Sequence, residues 1–368
     1  MQNTIVHNEG ATSPEGAVGK VKLSGSVIKL GLDIHARVYV VVAQHDHLLP
    51  KAPRRFAPPE FVPWVQTLLR SGHTVHVVYE ACGFGFGLYR ELRAAGAHCY
   101  VIAPRKLDEG CTRVKTDPRD AATLCQRLSR YLEGNTRELA VIRVPTQEEE
   151  QARHVSRQRE QLVRYRQKLE AQGRALLVSH SLPAPAHWWK NQTWNRLGKL
   201  LPRWIILRLE VYRPVLFALQ KQIEALTEQL EEAAPPSVPV GMGKLTTVVV
   251  TREICCWERF NNRRAISSYT GLCPGERSSG SKRVPGSVTK RGNPRLRAAL
   301  VELAWRMVRF QPQYPPVKKR LNLLAKGAPA TGAQRKKAIV AVARHLAVDL
   351  WRLHTGRCSA SQLGLTHS

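Results

Sequence analysis

With 368 residues the chain can bury a large core and divide into two or three domains, which excludes a small module stapled by disulfides. Lys and Arg number 57 against 28 Asp and Glu, a formal charge of +29 and a pI near 10.4, so the expected partner is a polyanion, nucleic acid by default, bound in a salt-dependent way. No apolar run approaches the ~20 residues needed to cross a bilayer, and a soluble cytoplasmic or nucleoid protein is expected.

Residues 1–25 are polar and rich in Gly and Ser, lack the charged-then-apolar order of a signal peptide, and read as a disordered tail. From residue 26 to 146 strands and helices alternate, predicting an α/β sheet domain. A β-rich run leads to Asp33, and a second run over 37–44 follows closely enough for a hairpin. After a Pro-rich loop, residues 59–70 read as an amphipathic helix. A strand over 74–80 follows and ends on Glu80, before the Gly-rich stretch 82–87. A helix over 88–95 and a strand over 98–103 come next. The segment Lys115-Thr116-Asp117-Pro118-Arg119-Asp120-Ala121 then opens a helix whose apolar positions recur at Ala121, Leu124, Leu128 and Leu132. Asp117 and Asp120 lie three apart and share a helix face. Asp before Pro at a helix start is also good capping chemistry, so capping alone is one reading of this pair. The other follows from the surroundings: Arg105, Lys106, Arg113, Lys115 and Arg119 crowd the segment, and carboxylates facing phosphates need a divalent cation between them. Acids at strand ends and a helix start are where such sheets collect active-site groups.

Residues 147–235 change character. Val155, Leu162, Leu169 and Leu176 recur every seven residues, and Leu219, Ile223, Leu226 and Leu230 step by four and three, so both stretches carry coiled-coil-like stripes. The spacing serves self-association or a helix pair packed within one protomer equally well. Between them Trp188, Trp189, Trp194 and Trp204 read as packing more than as an RNA-stacking surface. A Pro-rich break over 233–240 opens a mainly helical region, 236–355, and a short tail, 356–368. Gly241-Met242-Gly243-Lys244 before an apolar helix offers backbone N–H groups to a phosphate. A basic, hydroxyl-rich loop follows with Arg277, Ser278, Ser279, Lys282, Arg283, Lys290, Arg291, Arg295 and Arg297, and Asn293-Pro294 caps a helix running to about Phe310. Such a loop positions phosphates as a rule, and no His or second acid lies close in sequence to help a serine attack. A last amphipathic helix covers 334–353. The eight cysteines include no C-x-x-C pair and no His at zinc spacing, and read as reduced, mostly buried thiols.

Asp on the first strand, Glu on a later one and two Asp on one helix is the arrangement of RNase H-like nucleases. The motifs Gly31-Leu32-Asp33-Ile34-His35, Tyr79-Glu80-Ala81-Cys82-Gly83 and Lys115-Thr116-Asp117-Pro118-Arg119-Asp120-Ala121 resemble those of the DEDD transposases of insertion-sequence family one-ten, including its eleven-eleven subgroup and the related Piv invertases. The segments from Pro274 to Gly280 and from Lys290 to Arg297 resemble the same family's transposase domain. The resemblance covers nearly everything after residue 25 and departs over 284–289, where the family is more basic and Gly-rich. It implies a RuvC-like domain holding Mg²⁺ or Mn²⁺ with Asp33, Glu80, Asp117 and Asp120, a coiled-coil insertion, and a serine nucleophile at Ser279, with Ser278 ranked second. It also implies donor and target DNA as substrates, a non-coding guide (bridge) RNA, and a dimeric or tetrameric homo-oligomer. The other readings are a metal-dependent junction nuclease that uses water, with the serine loop only clamping phosphate, and a non-catalytic architectural nucleic-acid binder. Unused carboxylates in so basic a chain would repel the ligand, which argues against the last.

Overall fold

The computed structural model describes residues 25–104, 116–279 and 282–366, with the side chains of 277–279, 282, 283 and 285 outside that description. The chain divides into two compact units, residues 1–144 and 145–368.

The first unit runs β1 (Val27–Ile34), β2 (Tyr39–His45), β3 (Arg54–Phe56), α1 (Pro58–Arg70), β4 (Thr74–Glu80), α2 (Gly87–Ala94), β5 (His98–Ile102) and α3 (Asp117–Leu132). The strands form one mixed sheet in the order β3-β2-β1-β4-β5, with β1 antiparallel to β2 and parallel to β4. Side chains alternate across a pleated strand, and β1 uses both faces. Ile28, Leu30 and Leu32 enter a core with Phe61 and Val65 of α1 and Leu92 of α2. Lys29, Gly31 and Asp33 take the other face, where α3 lies. There Leu124 and Leu128 pack on Val78 and Ile102, and Ala121 and Cys125 on Val40 and Val42. The short β3, inside the stretch read as a Pro-rich loop, is too brief to leave a periodic signature.

The second unit begins with α4 (Gln147–Ser179), α5 (Asn191–Leu197), α6 (Arg203–Glu210) and α7 (Tyr212–Glu232). Arg159 Nε donates to Thr227 Oγ1 at 2.7 Å and Arg166 donates to Gln220, pairings that run in opposite directions along the two long helices and make them antiparallel. Leu216, Ile223 and Leu230 supply the buried stripe of α7. On α4 the stripe is displaced from the one the heptads suggest: the buried positions are Ser156, Glu170, Gly173 and Leu177, while Val155, Leu162, Leu169 and Leu176 are only half-buried. The cause is the Trp-rich connection. Trp188 packs against Gly173, where a Cβ would stand 2.2 Å from its ring, and donates its indole N–H to the Glu170 carbonyl at 3.0 Å. Trp188, Trp189 and Trp194 are buried and Trp204 is exposed, so three of the four do packing work.

The rest of this unit comprises α8 (Lys244–Ile254), α9 (Arg263–Thr270), β6 (Pro274–Ser279), β7 (Lys282–Val288), α10 (Pro294–Phe310), α11 (Pro315–Lys318), α12 (Leu321–Leu324) and α13 (Gly332–His354) around one core that includes Ile254, Leu300, Leu303, Met307, Val342 and Leu346. Residues 356–366 are not a loose tail. Leu363 and Leu365 enter that core, and Thr366 accepts from Val240 N–H at 2.8 Å and donates to Gln311 Oε1 at 3.0 Å. Of the described cysteines only Cys99 and Cys125 are fully buried and Cys82 is exposed, fewer than the sequence suggests.

Candidate active site

The sheet delivers two of the acids by register. Leu32 pairs with Tyr79, and the next residues along these parallel strands are Asp33 and Glu80, on the face that carries α3. Helix α3 supplies the others. Its N-cap is Thr116 in extended backbone, with no side-chain capping bond, so Asp117 and Asp120 fall in the first helical turn and the capping role is not what occupies the Asp117 carboxylate. Both favour the positive end of the helix dipole.

The depth of α3 on the sheet is set by Gly31. A Cβ there would meet the Ala121 carbonyl oxygen at 2.2 Å and the Cys125 nitrogen at 2.4 Å, so only glycine lets the helix backbone approach this closely. One pleat earlier, buried Lys29 Nζ donates to Ser129 Oγ at 2.8 Å and to the Asp46 carbonyl at 2.9 Å, clamping the far end of α3. Lys29, Gly31 and Asp33 thus alternate along one strand face as clamp, contact and cavity-lining acid.

The result is a cavity of about 140 Å³ whose lining includes Asp33, Glu80 and the buried Asp120, with Pro104 and Leu124 as apolar wall. Asp117 joins from outside through a residue the sequence reading passed over. His35 Nε2 lies 3.2 Å from Asp33 Oδ2 and 3.4 Å from Asp117 Oδ2. The three offer ligand atoms within 4.8 Å of one another. His35 stands two residues after Asp33, the strand period, and that spacing was its available signal. Carboxylate oxygens with one imidazole are a donor set that fits a divalent cation.

In the second unit the segment read as a basic loop is a β-hairpin. Ser278 pairs with Arg283 and Ser279 with Lys282 along the backbone, so Ser279 is the last residue of β6 before the tip. The side chains of Arg277, Ser278, Ser279, Lys282 and Arg283 lie outside the described residues. The base of the hairpin is tied to the Lys290-Arg291-Gly292-Asn293 motif: Thr289 N–H donates to the Cys273 carbonyl at 2.9 Å and Asn293 N–H to the Tyr269 carbonyl at 2.8 Å. Gly292 is required there, with φ 152° and a hypothetical Cβ 2.5 Å from the Tyr269 oxygen.

Asn293 caps α10 with its Oδ1 and donates its amide to Glu253 Oε2 at 2.8 Å. Glu253, 1% exposed, also accepts two bonds of 2.9 Å from the Arg157 guanidinium. Burial alone would raise its carboxyl, but the bonds from Arg157 and Asn293 outweigh burial and hold it below the usual range. Nothing in sequence marks Glu253, because its partners lie 96 and 40 residues away. Among the cations expected to meet nucleic acid, Lys290 and Arg291 are exposed, whereas Arg295 Nε donates to Glu160 at 2.6 Å and Arg297 donates to the Thr270 and Lys290 carbonyls. Gly241 and Gly243 adopt positive φ and pack on Phe310 and Arg306, with Lys244 exposed as α8 begins.

Two family models match the chain, a DEDD transposase of the IS110 type over residues 30–181 and the transposase IS116/IS110/IS902 family over 237–317. A transposase-named protein of Sinorhizobium fredii, y4rJ, is 33% identical over 75% of this chain and 76% of its own length. The chain belongs to the IS110 family of transposases. The transposase for insertion sequence element IS1111A of Coxiella burnetii is 26% identical over 77% of this chain and 80% of that protein. That for IS1533 of Leptospira borgpetersenii is 24% identical over 76% and 84%. This transposase therefore acts on DNA, and the first match includes the positions of all four acids. No helix among its described residues is long and apolar enough to cross a membrane.

Proposed function

We propose that the chain is a guide-RNA-directed DNA transposase in which a RuvC-like domain carries a metal-binding tetrad of Asp33, Glu80, Asp117 and Asp120, and Ser279 is the nucleophile. The observation that carries this reading is the convergence of Asp33, Glu80 and Asp120 on one cavity, with Asp117 linked to Asp33 through His35. The sheet order, with its first strand central and carrying Asp33, agrees with an RNase H-like domain. A Mg²⁺ or Mn²⁺ ion held there supplies neutralisation of phosphate charge as it builds in the transition state. His35 is a further candidate ligand. The residues of the chain do the rest. Ser279 Oγ forms a bond to phosphorus as the bond from phosphorus to one sugar oxygen breaks; that oxygen leaves as a hydroxyl, taking up the proton the serine gives up, and DNA stays joined to the protein as a phosphoserine ester that conserves the bond energy for strand exchange. An aliphatic hydroxyl needs help to attack. Arg277, Lys282 and Arg283 bring positive charge to the hairpin, whose one acid is Glu276; in this reading a carboxylate of the tetrad takes the hydroxyl proton, and the reaction needs both motif sets. Lys290, Arg291, Arg295, Arg297 and the Gly241-Met242-Gly243-Lys244 entry to α8 serve as phosphate contacts, Arg295 and Arg297 with the donors left over from their internal bonds. Long helices α4 and α7 serve assembly of a homo-oligomer as a coiled-coil element.

The test uses full-length protein, its co-purified RNA, element DNA and Mg²⁺. Wild type should give a protein–DNA adduct that survives denaturing gels. Ser279→Ala should lose both adduct and strand exchange, and Ser278→Ala should keep both, more weakly. Asp33→Ala, Glu80→Ala, Asp117→Ala and Asp120→Ala should lose exchange and keep nucleic-acid binding. Cleavage by Ser279→Ala at the wild-type rate, with no adduct from either protein, would replace the serine mechanism with hydrolysis by water at the same acids. Absence of one discrete RNA species in the purified protein would remove the guide.

A further inference from the structure

A cavity between α9 and α13, of about 460 Å³, has walls that include Arg263, Arg264, Arg344, His345, Asp349 and Arg352. It belongs neither to the acidic site nor to the hairpin tip. Four guanidiniums face one carboxylate, which leaves three positive charges uncompensated around one opening. The single acid is already engaged: Asp349 Oδ2 accepts from the buried Tyr314 hydroxyl at 2.7 Å and Oδ1 from Arg352 at 3.2 Å. Arg263, Arg264 and Arg344 have no ion pair among the described residues.

The crowding extends behind the cavity. Partial burial and the neighbouring Arg344 push Arg320 down from its ordinary range, and partial burial, Arg320, Arg344 and Lys319 push His345 down, so His345 is neutral at pH 7. A fold that holds four guanidiniums against one carboxylate is destabilised by their repulsion, and an anion seated among them relieves it. The arrangement also bears on which anion. Arg344 and Arg352 lie eight residues apart on α13, with Val348 midway on the same face, so they span ~12 Å of helix axis. Arg352 keeps donors beyond the one given to Asp349, so this wall offers cations over a length that matches about three phosphates of one DNA strand, at one charge per ~3.4 Å, and exceeds what a single inorganic anion bridges. Cys273, on the cavity wall, directly precedes β6, whose six residues run ~20 Å to Ser279.

We propose that the α9–α13 cavity is a DNA-backbone site of this transposase, in which Arg263, Arg264 and Arg344 neutralise consecutive phosphates away from the point of cleavage. The proposal rests on DNA as the substrate and is independent of whether Ser279 or water attacks.

The experiment reads binding alone. Full-length wild type and Arg263→Gln/Arg344→Gln are titrated with a 30-bp duplex in EDTA over a KCl series, so the acids and Ser279 play no part in the outcome. Two lost phosphate contacts reduce the slope of log K against log[KCl] by ~1.8, which corresponds to ~30-fold weaker binding at 0.15 M salt. The variant should unfold at the wild-type temperature or above, because repulsion is removed. Should it fail to fold, Arg263→Gln/Arg264→Gln, confined to exposed side chains of α9, serves in its place. Arg203→Gln/Arg208→Gln removes equal charge from exposed positions of α6 and should change the slope by less than ~0.5. Equal losses in the two pairs would mean that net charge alone is being read, and an unchanged slope in the cavity variant would mean that DNA does not enter; either overturns the proposal. An unchanged slope with a melting temperature raised by 20 mM phosphate over matched chloride, in wild type but not in the variant, would reassign the cavity to a free anion. A slope change with duplex RNA but not with DNA would overturn it as well.

Discussion

Substituting Gly31→Ala tests whether α3 sets the active site by its depth on the sheet. The new methyl carbon would stand 2.2 Å from the Ala121 oxygen, 2.4 Å from the Cys125 nitrogen and 2.9 Å from the Cys125 Cα. All three are backbone atoms, so no rotamer change relieves the clash. Restoring contacts of ~3.3 Å requires the helix to retreat by about 1 Å, against the Lys29 clamp at its other end. Overpacking of this kind costs ~1–3 kcal/mol, offset by ~0.5–1 kcal/mol from the reduced freedom of alanine in the unfolded chain. The net loss of about 1–2 kcal/mol lowers the melting temperature of this unit by ~3–8 °C. The chemical effect is larger. Asp117 and Asp120 ride on the same turn of α3 as Ala121, and a 1 Å displacement of positioned groups costs ~100-fold in rate. Calorimetry and strand-exchange assays on full-length protein measure both, with Gly87→Ala as control, since a Cβ there meets nothing within 4 Å. DNA affinity should stay within about twofold, because the phosphate contacts lie elsewhere. Wild-type exchange and melting in Gly31→Ala would refute the claim that this contact positions the acids.

Glu253→Ala should destabilise the second unit by ~3–5 kcal/mol, because it leaves the Arg157 guanidinium facing an emptied, buried site, and a double-mutant cycle with Arg157→Ala should show strong coupling. Additive losses would mean that the pair is not energetically linked. Partial burial, His98 stacked 4.7 Å away and nearby Lys29 push His76 down to about 4. The unfolded chain titrates near 6.5, so below that pH it binds a proton that the fold refuses. Stability from this source is therefore complete above pH 6.5 and drains away as pH falls toward 4, and His76→Gln should flatten the decline in melting temperature across that window. Polar substitutions at half-buried Leu219 and Leu226 should lower the assembled mass seen by light scattering with nucleic acid present, whereas an unchanged mass in a folded variant would leave the α4–α7 pair as intramolecular packing only.

Local chemistry was legible where the chain's own period carried it. The strand ending at Glu80, the α3 start at Asp117 and the Asn293 cap follow from alternation, Pro placement and capping preference, and the structure places each within a residue or two. What could not be read is what distant segments do to one another. The displaced stripe of α4 depends on Trp188 folding back onto Gly173, and the internal engagement of Arg295 depends on Glu160, 135 residues earlier. The hairpin of β6 and β7 looked like a loop because Gly, Ser and Pro weaken its strand pattern. His35 carries only a weak signal, its spacing of two residues from Asp33 at the end of β1.

Helix α4 is fastened at several points: Arg157 and Glu160 bond Glu253 and Arg295, Arg159 and Arg166 bond Thr227 and Gln220, and Gly173 carries Trp188. From Arg157 to Gly173 it extends ~24 Å, and a rod held at so many points has little freedom to flex between them. The carboxylate at its inner fastening is the one that also holds Asn293, whose backbone closes the base of the β6–β7 hairpin. One carboxylate thus serves two clients, and its loss would release the helix and the hairpin base together.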